Sequence, residues 1–293
     1  MTSSPHPRAE LDGASLVFEH PDGWEQALRR GIFYLRAPSG LSYAAGIRMC
    51  DSYHLPRVDD DPYRGFRERA LDGSVLGYSS TGNDQVERVQ LELALWERHL
   101  PAELPPLLHA LNDVARAIVR AFFARAGVSP AHVAQVTGGM DTNEALQYCI
   151  FNHFAQDPRA EHGFTPHKDS GFITIMYSTE PGLEVWQDER WSPVDPLPGH
   201  LTILMGDSIE VLTAKLPTPV AAPYHRVRSS PRGAEEHDRI SFGVYIGPRF
   251  EQDLYQYDER GELVAVQSFM SFQRRKAVEM GYEFHPALAE AVR

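Results

Sequence analysis

The chain has 293 residues, of which 42% are hydrophobic and 23% charged, and its formal net charge is −12. These proportions are ordinary for globular proteins and exclude the disordered and collagen-like classes, and no apolar run reaches the roughly 20 residues that span a bilayer. Because an acidic surface repels a phosphate backbone, we expect no nucleic-acid partner, and the charge favours a cationic or neutral substrate.

Cysteine content and the first residues indicate the compartment. Cys50 and Cys149 are the only cysteines and lack the CxxC spacing of zinc or thiol-redox sites, so we expect two buried, reduced side chains. The sequence MTSSPHPRAELDG has neither a basic region nor a following apolar stretch, as a secretory signal would. We therefore expect a cytoplasmic protein with no membrane partner.

The first half of the chain predicts helices and a strand. Residues 22–36 indicate a short helix that runs into an apolar strand, and residues 37–85 are rich in Pro, Gly and Asp. Residues 105–126 carry apolar side chains at helical spacing, and Gly127 follows where a helix commonly ends. This segment predicts a helix that packs one face on a sheet.

The second half predicts a β-rich core. After about residue 143, apolar segments of roughly five to nine residues alternate with Gly, Pro and Asp, which is typical of a sandwich or barrel. Helical spacing returns near the end of the chain. We therefore predict a mainly β fold with flanking helices around a jelly-roll, cupin-like core. As one domain over 1–293, it has an N-terminal helical and mixed region (1–142), the core (143–250) and a C-terminal helical segment (251–293).

Two neighbouring side chains suggest a metal centre. In the extended segment His167-Lys168-Asp169, alternate side chains point the same way, so one imidazole and one carboxylate converge. His225 begins a later predicted strand and supplies a third donor. Two imidazoles and one carboxylate on one side of an ion leave its other side open, as non-haem iron(II) oxygenases require.

A second alternating pair follows the third predicted ligand. Arg239 and Ser241 place a guanidinium and a hydroxyl on one face of a predicted strand. A guanidinium grips a carboxylate through two hydrogen bonds, and the hydroxyl adds another. The pair predicts an anchor for a dicarboxylic co-substrate.

The order of these motifs resembles the isopenicillin N synthase-like branch of the 2-oxoglutarate-dependent dioxygenases. The similarity rests on Gly163, His167-Lys168-Asp169, Gly182-Leu183-Glu184-Val185, Trp191, Pro198-Gly199, Gly206-Asp207, His225-Arg226-Val227 and Arg239-x-Ser241.

The resemblance implies a double-stranded β-helix with iron(II) on His167, Asp169 and His225. It also implies that 2-oxoglutarate is anchored by Arg239 and Ser241, and that decarboxylation of 2-oxoglutarate to succinate by O2 drives oxidation of a C–H bond. Many plant members have Asn-x-Tyr on the preceding strand, whereas this chain has Asn152-His153-Phe154. Asn152 therefore keeps a co-substrate role, but Phe154 has no hydroxyl to donate.

Other side chains are candidates for the substrate pocket. By strand alternation, one set shares a face with Asn152 or with Arg239, and another set lies in the region that resembles the family's variable substrate loops. These candidates are Tyr148, Ile150, Phe154, Tyr245, Arg67 and Tyr78.

The leading hypothesis is an iron(II)- and 2-oxoglutarate-dependent oxygenase that hydroxylates, desaturates or cyclises a small-molecule metabolite. The chain has three lysines among its 28 basic residues, a bias that resembles proteins of GC-rich bacteria and suggests specialised metabolism. Two alternatives stay open. One is an iron(II) oxidase that does not use 2-oxoglutarate, and the other is a catalytically silent jelly-roll binding protein.

Overall fold

The computed structural model describes residues 6–80, 84–156, 160–230 and 237–279. Its strands, numbered in chain order, are β1 (Arg8–Asp12), β2 (Ser15–Phe18), β3 (Ile32–Arg36), β4 (Gly77–Ser80), β5 (Val86–Glu92), β6 (Leu146–Phe154), β7 (His162–His167), β8 (Ile173–Ser178), β9 (Leu183–Gln187), β10 (Arg190–Pro193), β11 (His200–Met205), β12 (His225–Arg228), β13 (Arg239–Gly247), β14 (Asp253–Tyr257) and β15 (Leu263–Ser268).

The α-helices of the described residues lie mostly before β6. They are α1 (Gly23–Arg30), α2 (Ala44–Ser52), α3 (Trp96–His99), α4 (Leu104–Ala126), α5 (Val133–Thr137), α6 (Asp207–Thr213) and α7 (Phe269–Glu279). The helix and strand predicted for residues 22–36 are confirmed as α1 and β3.

Two facing sheets form the core. In the described part of the chain, β6, β8, β11 and β13 lie in a nine-stranded main sheet ordered β2-β1-β3-β11-β8-β13-β6-β5-β4, and β7, β9, β10 and β12 form a four-stranded minor sheet. Eight strands alternating between two sheets make a jelly roll. The prediction of a mainly β fold with a jelly-roll core and flanking helices is confirmed.

The N-terminal region is built into the main sheet. β1, β2 and β3 extend it beyond β11, whereas β4 and β5 extend it beyond β6. β5 pairs with β6 from Val86 opposite Phe154 to Glu92 opposite Tyr148. Residues well before the core therefore contribute side chains to the same sheet face as β6.

Helix α4 covers the outer face of the main sheet. Its apolar stripe includes Leu111, Ile118 and Phe122, all with no exposed surface, and it packs in one core cluster with side chains of β8 and β13. Gly127 ends the helix in a left-handed conformation with φ 90°, which glycine adopts without a side-chain clash. The predicted helix over 105–126 is confirmed with a start at Leu104.

The C-terminal prediction requires a correction. Residues 251–293 were expected to be helical, but β14 and β15 form a hairpin before α7 begins at Phe269. The carboxylate of Asp258 accepts hydrogen bonds from the backbone N–H groups of Arg260 and Glu262, and these bonds close the turn. The predicted helical spacing holds for α7 alone, and residues 280–293 lie outside the described residues.

Both cysteines are buried and free, as predicted. The Cys50 thiol donates to the Ser241 carbonyl over 3.4 Å, and the Cys149 thiol donates to the Leu91 carbonyl over 3.6 Å. The Cys50 thiol thus links α2 to β13, and the Cys149 thiol links β6 to its neighbour β5 within the main sheet. Among the described helices, none combines the length and the apolar character that crossing a membrane requires.

Candidate metal centre and substrate pocket

The pocket lies between the two sheets. Side chains alternate along β13, so Arg239, Ser241 and Tyr245 face one way. Across the main sheet, Ser241 pairs with Asn152 and Tyr245 pairs with Tyr148. Because paired residues of antiparallel strands project to the same side, this face looks toward the minor sheet.

The three predicted metal ligands meet at the edge of the minor sheet. His167 ends β7, His225 begins β12, and the two residues are directly paired across these strands. Asp169 Oδ1 lies 3.4 Å from His167 Nε2 and 3.8 Å from His225 Nε2. The three donor atoms all lie within 4.8 Å of one another, so one ion can contact all three.

Hydrogen bonds orient the three donors. Nδ1 of His167 lies 2.8 Å from the Thr165 carbonyl, and Nδ1 of His225 lies 3.1 Å from the Pro223 carbonyl. Since a carbonyl only accepts, each ring carries its proton on Nδ1 and presents an Nε2 lone pair to the centre. The Thr174 hydroxyl donates to Asp169 Oδ2 over 2.5 Å and leaves Oδ1 directed at the two histidines.

The charge states suit metal binding. Burial, together with the nearby His167 ring, lowers the pKa of His225 to about 4, so this ring is neutral at pH 7. Burial acts to raise the pKa of Asp169, but His225, His167 and the Thr174 hydroxyl outweigh it and hold that pKa below its usual range. The centre therefore offers two imidazole Nε2 atoms and one carboxylate oxygen, a donor set that fits iron(II).

A buried cation lies on the facing sheet. Arg239 is 6% exposed, its Nε donates to the Glu180 carbonyl over 3.4 Å, and its guanidinium lies 4.7 Å from the centre of the Phe154 ring. Gly182 permits this packing, because a Cβ there would lie 3.3 Å from the arginine Cδ. Burial lowers the pKa of Arg239 to about 10, which leaves the guanidinium charged at neutral pH.

Two polar atoms of this second site have no hydrogen-bond partner among the described residues. They are Nη1 of Arg239 and Oδ1 of Asn152, and both are buried. Asn152 Nδ2 donates to the Ser241 hydroxyl over 3.1 Å, which holds the hydroxyl beside the guanidinium. A buried donor on a cation without an acceptor is costly, so the site fits a carboxylate ligand such as that of 2-oxoglutarate.

The predicted pocket residues on β6 and β13 lie on the pocket face. Tyr148 stacks on Tyr245 with ring centroids 4.3 Å apart. Ile150 is the next pocket-facing residue along β6 and is half-buried. Phe154 is buried with Val86 and Val227 between the two sheets, so it closes one end of the pocket.

The expectation that Arg67 and Tyr78 line the pocket is wrong. Tyr78 pairs with Val89, and Val89 pairs with Phe151, which lies on the outer face of the main sheet. Both side chains bind Glu87 on that face. The Arg67 guanidinium donates to the two carboxylate oxygens over 2.7 and 2.6 Å, and the Tyr78 hydroxyl donates over 2.9 Å.

A second group on the outer face has metal-binding residue types. His54, Glu87 and His153 each place a donor atom within 4.8 Å of the others. The two histidine rings stack with centroids 3.8 Å apart and planes inclined by 14°. Because an imidazole lone pair lies in the ring plane, near-parallel rings cannot both direct one at an ion about 2.0 to 2.1 Å away. This arrangement disfavours a metal.

Several functional candidates were missed at the sequence level. Thr174 bonds the predicted carboxylate ligand, Arg88 and Gln90 face the pocket from β5, and Lys276 of α7 donates to the Lys168 carbonyl between the predicted ligands. The strand alternation of residues 86–92 could have shown that Arg88 and Gln90 share a face. Nothing in the sequence showed which strand β5 pairs with.

Comparisons with known proteins agree with this geometry. Residues 144–248 match the model of the 2OG-Fe(II) oxygenase superfamily. The matched range covers β6 to β13 and includes the three predicted metal ligands, Arg239 and Ser241.

The chain is also similar in sequence to plant enzymes. The chain is 27% identical over 157 residues to gibberellin 3-beta-dioxygenase 2-3 of Triticum aestivum, covering 52% of this chain and 41% of the relative. It is 25% identical over 228 residues to oxoglutarate-dependent flavonoid 7-O-demethylase 1 of Ocimum basilicum, covering 71% and 57%. The chain spans about half the length of the curated relatives it matches.

Solved structures share the fold of this chain. JOX2 in complex with 2OG, Fe and JA superposes with a TM-score of 0.70 at 16% identity, over 97% of this chain and 88% of that one. A full-length Neurospora crassa protein in complex with alpha-KG and thymine gives 0.65 at 14% identity, over 88% and 89%. These likenesses concern the fold, and they extend beyond residues 144–248 to the N-terminal elements.

Proposed function

We propose that this protein is an iron(II)- and 2-oxoglutarate-dependent oxygenase that oxidises a C–H bond of a small-molecule metabolite. The observation that carries the proposal is the pairing of an open His-Asp-His centre with a buried arginine whose Nη1 has no partner among the described residues. The first site suits a metal ion and the second suits a carboxylate.

Named residues take separate roles in the proposal. His167, Asp169 and His225 hold iron(II) through two Nε2 atoms and one carboxylate oxygen. Arg239 and Ser241 bind the distal carboxylate of 2-oxoglutarate, and Asn152 orients the Ser241 hydroxyl. When bound, iron and 2-oxoglutarate together supply the activation of O2 that hydroxylation, desaturation or oxidative cyclisation needs.

The protein orients the metal ligands and excludes water from the pocket. The carbonyls of Thr165 and Pro223 fix the tautomers of the two histidines, and Thr174 fixes the carboxylate. Phe154 and Val227 keep water from the guanidinium side of the pocket, which strengthens its attraction for an anion. We further propose that residues 1–293 form one oxygenase domain, because strands before residue 143 share the main sheet.

The cellular setting is also a proposal. Three lysines among 28 basic residues support a GC-rich bacterial source and a role in specialised metabolism. Two free, buried cysteines support a reducing compartment such as the cytoplasm.

The test is the response of anaerobic iron(II) protein to 2-oxoglutarate. We expect a charge-transfer absorption band on adding 2-oxoglutarate, and succinate formation once oxygen is admitted. Arg239→Gln should weaken 2-oxoglutarate binding at least about 30-fold, because it removes one partner of a buried charged contact. His225→Ala should abolish succinate formation.

Arg226→Gln is the matched control. Arg226 follows His225 on β12, pairs with Glu184 and lies over the Trp191 ring. Its loss should leave the absorption band intact. Succinate formation by His225→Ala at the wild-type rate contradicts the ligand assignment. Iron binding with no band on adding 2-oxoglutarate favours the oxidase alternative, and no metal binding favours the silent binding protein.

A further inference from the structure

The inner face of β5 forms part of the pocket floor. Arg88 pairs with Asn152 and Gln90 pairs with Ile150 in the antiparallel register of β5 and β6. Paired residues project to the same side of a sheet, so Arg88 and Gln90 face the same space as Asn152 and Ser241. This places a second arginine on the pocket face, two strands away from the strand that carries Arg239.

Contacts fix the Arg88 side chain close to the metal centre. Its Nε donates to the Ser79 hydroxyl over 3.0 Å, and its guanidinium carbon lies 5.2 Å from the centre of the Phe164 ring. The Phe164 ring centroid is in turn 4.4 Å from that of His167. One aromatic ring therefore separates the cation from a predicted metal ligand.

Tyr148 faces the pocket from β6, the strand beside the one that carries Arg88. Burial raises the pKa of its phenol well above the usual range, and the charges of Tyr245 and Asp169 raise that pKa further whereas Arg88 lowers it. The phenol is therefore neutral and within electrostatic range of both Asp169 and Arg88.

We propose, on the basis of the proposed oxygenase function, that the substrate carries a carboxylate and that Arg88 binds it. The apolar body of the substrate lies against Ile150 and Phe164, which directs a C–H bond of that body toward the metal centre. Arg239 binds the co-substrate, so each of the two arginines binds a different acid within one pocket. A guanidinium suits this task because its planar donors match a carboxylate.

The positive charge of Arg88 in the pocket, and not the net charge of the protein, determines which substrate charge is favoured. A net charge of −12 favours a cationic or neutral substrate, but most of those charges face water and are screened beyond about 8 to 10 Å at moderate salt. Arg88 is half-buried beside aromatic rings, where a charge interacts more strongly with a ligand. The pocket therefore selects an anion despite the acidic surface.

The experiment compares acids with their methyl esters. The probes are phenylacetate, cinnamate, cyclohexanecarboxylate and octanoate, each with its ester, added to protein loaded with iron(II) and 2-oxoglutarate. One readout is the rate of succinate formation above the rate without probe. The other is binding measured by anaerobic calorimetry, which needs no turnover.

Wild-type protein should bind at least one acid about tenfold or more tightly than its ester, and that acid should accelerate succinate formation. A charge-assisted hydrogen bond of about 1.5 to 3 kcal/mol sets this scale. Arg88→Gln should bring the acid-to-ester ratio close to one. Arg88→Lys should keep most of the preference, because it keeps the positive charge.

Arg36→Gln is the matched control, since Arg36 pairs with Glu10 at an exposed edge of the sheet, and it should keep the wild-type ratio. Equal binding of acids and esters, binding of neither, or an unchanged ratio in Arg88→Gln overturns the proposal. A failure of the oxygenase function would appear differently, as wild-type protein that makes no succinate from 2-oxoglutarate while acids still bind more tightly than esters.

Discussion

Thr174 determines which carboxylate oxygen of the predicted ligand Asp169 points at the metal centre. Its hydroxyl holds Asp169 Oδ2 at 2.5 Å, so Oδ1 alone points between the two histidines. A carboxylate without this bond can rotate and bind a metal through either oxygen. The open side of the metal centre therefore depends on a residue that touches no metal in the proposed arrangement.

Replacing Thr174 by Val removes the hydroxyl and keeps the shape. We expect metal affinity to fall about 10- to 100-fold, the usual effect of losing a hydrogen bond to a ligand. Cobalt(II) titration under anaerobic conditions measures the affinity without turnover. Thr174→Ser should bind nearly as well as wild type, and wild-type affinity in Thr174→Val would show that the hydroxyl does not hold the carboxylate.

Phe154 shows how a single residue departs from the family pattern and still serves the site. Many plant members have a tyrosine there, and this chain has a ring whose centre lies 4.7 Å from the Arg239 guanidinium. The ring contributes a cation–π contact instead of a hydrogen bond. In the proposed function, anchoring of the co-substrate therefore falls to Ser241 and Arg239.

At the scale of elements, α7 fastens the turn that carries the predicted ligands. Lys276 donates to the Lys168 carbonyl over 2.7 Å and pairs with Asp207, and Gln273 donates to the Ser170 hydroxyl over 2.8 Å. Burial raises the pKa of Asp207, and Lys276 acts against that rise. A helix far along the chain thus holds the residues on both sides of Asp169, one by its backbone carbonyl and the other by its hydroxyl.

Lys276→Met should destabilise the protein by about 3 kcal/mol, because it removes the closer of the two lysines that pair with the buried Asp207 and leaves Lys168 at 3.9 Å. Urea unfolding measures this loss. Adding Asp207→Asn removes the poorly compensated charge, so the double variant should regain part of the stability. Equal stability of Lys276→Met and wild type would contradict the stabilising role given to Lys276 of α7.

The sequence predicted what depends on local pattern. The stripe of α4, the alternation in His167-Lys168-Asp169 and the many short strands each follow from spacing along the chain. The positions of Arg88 and Tyr78 depend on how β4, β5 and β6 pair, and pairing over such distances leaves no mark in local spacing. The β14–β15 hairpin escapes prediction for a different reason: its strands are short, β15 has no buried side chain, and so the hairpin lacks the apolar alternation of a half-buried strand.

At the scale of the whole molecule, Glu87 links the segment before β5 to the main sheet. Its carboxylate accepts hydrogen bonds from Arg67 and Tyr78 and contacts His153, and its carbonyl accepts from the Tyr53 hydroxyl. Burial acts to raise the pKa of Glu87, but the bonds to His153, Arg67 and Tyr78 outweigh it and lower that pKa from 4.5 to about 2.

A lowered pKa makes stability depend on pH. The stabilisation is fully present above about pH 4.5 and is lost as the pH falls toward 2, because the unfolded chain binds the proton first. Glu87→Gln should cost about 2 kcal/mol at neutral pH and should flatten the stability curve in that acid range. Urea unfolding at a series of pH values measures both effects.

Glu10→Gln is the control, since Glu10 pairs with Arg36 where both side chains are more than half exposed, and exposed pairs contribute little. Its stability curve should run parallel to that of wild type. A Glu87→Gln curve that is also parallel would contradict the role given to Glu87.

Under the proposed oxygenase function, the burial of both thiols bears on how long the protein stays active. An active site that activates dioxygen releases stray peroxide, and a cysteine reacts with peroxide as its thiolate. Burial raises the pKa of Cys50 and of Cys149 well above the usual range, and neither side chain has exposed surface. Inactivation during turnover is therefore expected to begin at the metal centre or at exposed side chains, and reducing agents that repair thiols should not prolong the working life of the protein.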